Sequence, residues 1–288
     1  MSIAALFDSP QALPTIPKVA QELIRSFSRE DVAVDEIARH LSADPVLSAK
    51  TLRLANSAYF HVSREVASVD DAIRMLGFVM IRNLVIGCSV TGAFKAVPGL
   101  DLPQFWRHSL HTACGARWLA QAVDRNSDLA FTVGLMHGVG HLVMHAAAAA
   151  AMKELDAECH PLASERTALE QDRLGYHHGA VGAELATRWK FPAKVSEALN
   201  AAADPMHAGA SSEIGNLVHI AAWRSRVSML NLDASQALAS CPIELGRTMG
   251  LPVTWLAQEG TLGFDNASGL SPMPPLAELT SGLEAMLD

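Results

Sequence analysis

Apolar residues recur along most of this chain at helical spacing, with little of the strict alternation that marks half-buried strands. Ile16, Val19, Ala20, Leu23, Ile24 and Phe27 fall at i, i+3, i+4, i+7, i+8 and i+11, one stripe of a first helix. Thr15 and Pro17 stand where a cap and a first-turn proline belong. A second helix is expected from about Val34 to Leu41. Asp44-Pro45 reads as the cap and first residue of a third, running through Leu47 and Leu54 to Asn56, whose tolerance of left-handed backbone can end it. Tyr59–Ala67 lacks a period and is expected to be a loop. Ser68-Val69-Asp70-Asp71 has the spacing of a capping box for a helix with Ala72, Ile73 and Leu76 on one face and Gly77 as its stop. Met80, Ile81, Leu84, Val85 and Cys88 mark one more helix.

Val97-Pro98-Gly99-Leu100-Asp101-Leu102-Pro103 breaks this pattern and sets a lobe boundary. Helices are then expected near 104–123, 128–152, 161–173, 178–189 and 192–203. A second break spans Ala203–Gly209, and helices follow near 211–230, 234–239 and 242–249. Gly260–Pro275, rich in Gly, Ser and Pro, is expected to be irregular, and Pro275–Leu287 to form a short terminal helix. Neither a sheet-building alternation nor an internal repeat is visible. The expectation is an all-α fold with an N-terminal helical lobe (10–97), a helical bundle (104–230) and a C-terminal extension and tail (231–288).

Composition agrees. Half of the 288 residues are apolar and only 6% aromatic, so the core leans on aliphatics and alanine, the best helix former. The net charge is −8, and residues 1–100 carry ten basic and ten acidic side chains, so the whole acidic excess lies beyond them. No basic stripe of the kind that follows a phosphate backbone is present, which argues against a nucleic-acid partner. Cys88, Cys114, Cys159 and Cys241 form no CxxC pair, which argues against a thiolate zinc site and fits a reducing compartment. The first residues have no basic segment ahead of an apolar run, and the longest apolar run, Ala146–Met152, is too short to span a bilayer. A cytoplasmic protein without membrane contact is expected.

Histidine dominates the candidate chemistry. His137, His141 and His145 are spaced i, i+4, i+8 and would line one stripe of a helix, where neighbours at i, i+4 can share a metal. The plainer reading puts only His137 in a pocket, with the other two partly exposed. His108 and His111 lean to neighbouring faces, and of His177 and His178 only one can face a pocket. Cys114, on an apolar face with no base nearby in sequence, reads as a small core residue. Arg53, Arg64, Arg74 and Arg82 are balanced by acids and read as solvated surface.

Four segments, Leu13-Pro14-Thr15-Ile16-Pro17, Asp44-Pro45-Val46-Leu47, Leu54-Ala55-Asn56-Ser57-Ala58-Tyr59 and Ala72-Ile73-Arg74-Met75-Leu76-Gly77, resemble in order and spacing the HDOD family. That family is related to HD-type metal phosphohydrolases and to cyclic-dinucleotide phosphodiesterases. The resemblance covers about residues 10–230 and implies that the bundle is HD-like. Trp106-Arg107-His108-Ser109 looks like the first histidine element of that site. Gly134-Leu135-Met136-His137-Gly138-Val139-Gly140-His141 looks like its His-Asp element, with Gly138 in place of the acid. Gly175-Tyr176-His177-His178 looks like a later histidine element. Val218-His219-Ile220-Ala221-Ala222-Trp223 looks like the final Asp element, with Ala222 at the acid position.

The resemblance therefore implies a degenerate metal site made of His108, His137 and His178, with His141 as a substitute ligand. Such a set has no required cofactor and would hold a divalent ion weakly. It further implies a non-enzymatic bacterial signal-transduction module that meets signalling proteins through helical surfaces or an inter-lobe groove. The alternatives are a metal-dependent phosphohydrolase or cyclic-dinucleotide phosphodiesterase, and a nucleotide-binding sensor without turnover. Oligomeric state is left open.

Overall fold

Helical periodicity becomes helix almost throughout the computed structural model, which describes residues 2–8, 14–28, 33–206, 212–257, 259–264 and 269–286. Among these residues there are seventeen α-helices and one two-stranded sheet, an all-α fold. The N-terminal lobe comprises α1 (Ile3–Leu6), α2 (Lys18–Arg25), α3 (Val34–Ser42), α4 (Pro45–Ala55), α5 (Val69–Leu76) and α6 (Phe78–Ala93). Asp44 caps α4, its carboxylate accepting from the amides of Val46 (3.1 Å) and Leu47 (3.0 Å). The Ser68 hydroxyl accepts from the Asp71 amide at 3.1 Å, but the Asp71 carboxylate pairs with Arg64 instead of closing a capping box. Pro17 lies one residue outside α2, and Leu13 falls outside the described residues.

Asn56 ends α4 for a different reason from the one expected. Its backbone (φ −88°) is not left-handed. The carboxamide instead reads the loop: it donates to the Val66 carbonyl and accepts from the Val66 amide, both at 2.8 Å, while also donating to Leu52 O at 2.9 Å. The loop is thereby held to the helix end by a side chain that imitates a strand partner.

The bundle comprises α7 (Leu102–Ala122), α8 (Ser127–Met136), α9 (Val139–Ala147), α10 (Ala149–Glu158), α11 (Arg166–Leu174), α12 (His178–Arg188), α13 (Ala193–Ala203) and α14 (Glu213–Met229). The single helix expected at 128–152 is thus three, broken at His137-Gly138 and at Ala148. Helix α7 is the spine, packed between α8 and α14; α12 lies between α9 and α13. The close crossings need glycine: a Cβ on Gly140 would stand 1.9 Å from the His178 carbonyl oxygen, and one on Gly134 2.7 Å from Ala113 Cα. Ser127–Ala147 is long and apolar enough to cross a membrane (mean hydropathy 1.3), yet 94% of that window is buried within the protein.

Then come α15 (Ala234–Ala239), α16 (Ile243–Thr248), β1 (Val253–Leu256), β2 (Thr261–Phe264) and α17 (Leu276–Thr280). The antiparallel hairpin replaces part of the expected irregular tail. It escapes periodicity because each strand has four residues and all four of β2 are buried, so nothing alternates. Phe264 stacks on Trp118 of α7 at 5.6 Å. Helix α17 also packs on α7, and the final turn, Glu284–Met286, packs on α4 and α6. The extension thus touches both lobes, whose buried apolar side chains form one continuous core.

Candidate functional site

The break between α8 and α9 points His137 into the bundle rather than along a helical stripe. His108 from α7, His141 from α9, His178 at the start of α12 and His219 from α14 line the same cavity, about 80 Å³ in volume. His137, His108, His141 and His178 are buried. His137 Nδ1 lies 2.7 Å from the Gly134 carbonyl, which can only accept. The ring therefore donates there, leaving Nε2 as an acceptor. That nitrogen is 3.2 Å from His108 Nε2, and His108 Nδ1 is 2.8 Å from the Ser225 hydroxyl. With the hydroxyl donating, one chain of hydrogen bonds runs from Ser225 through His108 and His137 to Gly134, and no ring nitrogen in it is orphaned. Burial pushes the His108 imidazole well below its usual range, helped by His137 and Arg226; it pushes His137 down to about 4. Both are neutral at pH 7.

A second cluster forms around Glu170 on α11, which is completely buried. One carboxylate oxygen accepts from His141 Nε2 (2.8 Å) and Arg166 Nε (2.9 Å). The other accepts from the backbone amide and Nδ1 of His178, both at 2.8 Å. Burial alone would raise this carboxyl, but the His141 and His178 rings outweigh it and hold it well below the usual carboxylate range. Burial pushes His141 down to about 3, so the ring donates as a neutral imidazole and Arg166 balances the charge. Arg166, also buried, reaches Asp156 at 2.9 Å and donates to the Cys159 carbonyl at 2.7 Å. Among the described residues, His141, Glu170 and His178 are the one set of three such side chains whose ligand atoms all lie within 4.8 Å of one another.

The expected histidines therefore divide. His108 and His137 form a pair. His178 joins His141 and Glu170 rather than completing a three-nitrogen set with that pair. His141 and His145 are buried, not partly exposed; His145 faces the Pro98 carbonyl at 3.3 Å and Asp156 at 3.6 Å. His177 caps α12, accepting weakly from the Ala180 amide at 3.4 Å. Cys114 is buried and its thiol is pushed up to about 12, so it stays protonated. Sequence reasoning missed Glu170, although its position four residues after Arg166 and eight before His178 was a signal for a buried ion pair facing the cavity. Ser225, Arg226 and Phe105 were missed as well, and His219 was marked only as part of the final Asp element, because nothing local shows which side chains meet the cavity or its histidines.

The two acid positions are filled in opposite ways. At Gly138, a Cβ would meet the Phe105 ring at 3.0 and 3.3 Å, so the ring occupies the room an aspartate would use. At Ala222 the wall is shared with Arg226, one turn on, whose guanidinium is lowered by burial, with Glu165 acting the other way. An HD-type metal needs hard oxygen donors. Here the pair offers two imidazole nitrogens, the acid places hold a phenyl ring and a methyl group, and Glu170 is fully engaged. These residues do not fit a Mg²⁺ or Mn²⁺ centre of that kind.

The fold and the cavity define a class: an all-helical, HD-like protein with five histidines lining one cavity of its bundle. The HDOD domain family model matches residues 13–205, two thirds of the chain, and the protein belongs to the HDOD domain family. It is 28% identical in sequence to a candidate phosphohydrolase from Shewanella amazonensis SB2B, with a TM-score of 0.71 over 99% of this chain and 97% of that one. A candidate signal transduction protein from Marinobacter aquaeolei VT8 is 25% identical, with a TM-score of 0.63 over 84% of this chain and 54% of the other. An uncharacterised protein from Treponema pallidum (strain Nichols) is 26% identical over 200 residues, 67% of this chain; the match spans only 38% of that protein's length.

Proposed function

We propose that this HDOD protein is a regulatory signal-transduction module that does not hydrolyse phosphate esters and acts by binding signalling proteins through its helical surfaces. The observation that supports this best is the Phe105 ring at the Gly138 acid position. A bridging aspartate there would hold the metal and help generate the attacking water; a phenyl ring can do neither. Ala222 and the engaged Glu170 support the same reading. The alternative, a metal-dependent phosphohydrolase, draws on the likeness to the Shewanella amazonensis protein and on five histidines sharing one cavity. The two are separated by incubating the purified protein with bis-p-nitrophenyl phosphate and with cyclic dinucleotides, adding Mn²⁺, Fe²⁺ or Mg²⁺. No turnover above that of His137→Ala is expected. Turnover that His137→Ala abolishes would refute the regulatory reading.

A further inference from the structure

A larger cavity than that of the five clustered histidines lies between the two lobes. It is a groove of about 1150 Å³ between α4 and α6 of the N-terminal lobe, α7 of the bundle and the C-terminal segment. Leu47, Phe94, Trp106 and Leu110 give it an apolar floor, and Val46, 65% exposed, stands on its rim. Three cations also line it: Lys50 from α4, Lys95 just after α6 and Arg107 from α7. Among the described residues none of the three has an ion pair or side-chain hydrogen bond. Two carboxylates line the groove, and both are partly committed: Asp44 caps α4, and Glu284 accepts from the Gly282 amide at 2.7 Å. In a chain of net charge −8, this groove carries three cations against two acids.

The same wall also holds a histidine. His111 Nδ1, on the same wall, is buried and has no hydrogen-bond partner. Burial pushes His111 down to about 4, so it is a neutral donor or acceptor at pH 7, not a fourth charge.

We propose that this inter-lobe groove binds a small organic anion: a molecule with a flat or aliphatic apolar body and a phosphate or carboxylate head. The body lies on Leu47, Phe94, Trp106 and Leu110, and the head meets Lys50, Lys95 and Arg107. The groove is large enough for a nucleotide-sized molecule, and its mix of apolar wall with few charged groups is that of small-molecule sites. Three cations without ion pairs, set beside two carboxylates that are already engaged, favour an anionic head. The site is separate from the histidine cavity, so the proposal stands whether or not that cavity turns over phosphate.

The probe is 1-anilinonaphthalene-8-sulfonate, an aromatic anion, titrated into the full-length protein while its own emission and the quenching of Trp106 are followed. Saturable one-site binding is expected, with the quenching lost in Trp106→Phe. Lys50→Ala and Arg107→Ala should each weaken it by about tenfold, the size of one charge-assisted contact. Lys153→Ala, on the exposed face of α10, should leave it unchanged. Circular dichroism melts establish that each variant is folded. Competition with AMP or with decanoate distinguishes a phosphate source from a carboxylate one, and displacement by either upholds the site. Non-saturable binding, equal binding by the Lys50, Arg107 and Lys153 variants, or displacement only by an acidic peptide would overturn it.

Discussion

Glu170→Gln isolates the charge at the centre of the histidine network while keeping nearly the same shape. The native carboxylate accepts four hydrogen bonds, from His141, Arg166 and two groups of His178, and is fully buried. A carboxamide keeps one accepting oxygen and turns an NH₂ group towards two donors. Each lost bond to a charged acceptor is worth about 1.5–3 kcal/mol. Arg166, itself buried, also loses one of its two counter-charges, keeping Asp156 at 2.9 Å. Removing one partner of a buried pair costs about 3–5 kcal/mol. Both routes converge on a loss of about 3–5 kcal/mol. At roughly 2–4 °C per kcal/mol for a chain of this size class, the melting temperature should fall by about 6–20 °C. Thermal unfolding followed by circular dichroism at 222 nm measures it, with urea denaturation giving the free energy. A fall of about 2 °C or less, with unchanged helicity, would show that the carboxylate is not buried among four donors, and the network described above would be wrong.

Acid should weaken the fold in two stages. His108, His137 and His141 are neutral when folded, His137 with a value lowered to about 4, whereas the unfolded chain binds protons below about pH 6.5. Their contribution is complete above that pH and falls by about 1.4 kcal/mol per pH unit and group as pH drops towards 4. Glu170, lowered when folded, contributes above its unfolded value near 4.5 and loses this only as pH falls through its folded value. Urea midpoints between pH 8 and pH 4 read the histidine stage, and continuing the series below pH 4 reads the Glu170 stage; a flat profile from pH 6.5 to 4.5 would contradict neutral buried histidines. Restoring the acids with Gly138→Asp and Ala222→Asp should raise Mn²⁺ affinity by less than about tenfold in calorimetry, and should lower stability by about 1–3 kcal/mol because Phe105 must move. Tight Mn²⁺ binding by that double variant would show that the walls are more adaptable than their packing indicates.

Helices and their caps were legible because they depend on neighbours three and four residues away. Asp44-Pro45 and Ser68 cap their helices and Val19 to Ile24 forms the buried stripe of α2, as their spacing indicates, whereas Ile16 lies ahead of that helix and the box at Ser68 stays open. The break at His137-Gly138 was not legible, because the apolar run continues through it. It arises where His137 turns inward to Gly134 and His108 and where Gly140 lets α9 approach α12. Histidines at the cavity were visible as types in the sequence, but their partition into two sets was not. That partition depends on Glu170, which reaches His178 across the turn from α11 to α12 and His141 from another helix.

The electrostatics of the cavity follow from that rearrangement. In a metal-dependent site the ion supplies positive charge and carboxylates around it supply the balance. In this protein the positive charge is built into the chain. Arg166 is balanced by Glu170 and Asp156, and Arg226 lies close enough to His108 to lower it further. A divalent ion brought to the His108–His137 pair would meet the Arg226 guanidinium with no free carboxylate between them. An aspartate introduced at 222 would sit four residues before Arg226 on α14, the spacing at which acids and arginines pair along a helix. It would satisfy the arginine before it served an ion. Glu170 is likewise spent on holding His141 and His178 at fixed orientations. Glu170 thus works as a structural anchor, and what it fixes is the placing of His141 and His178 where α9, α11 and α12 meet.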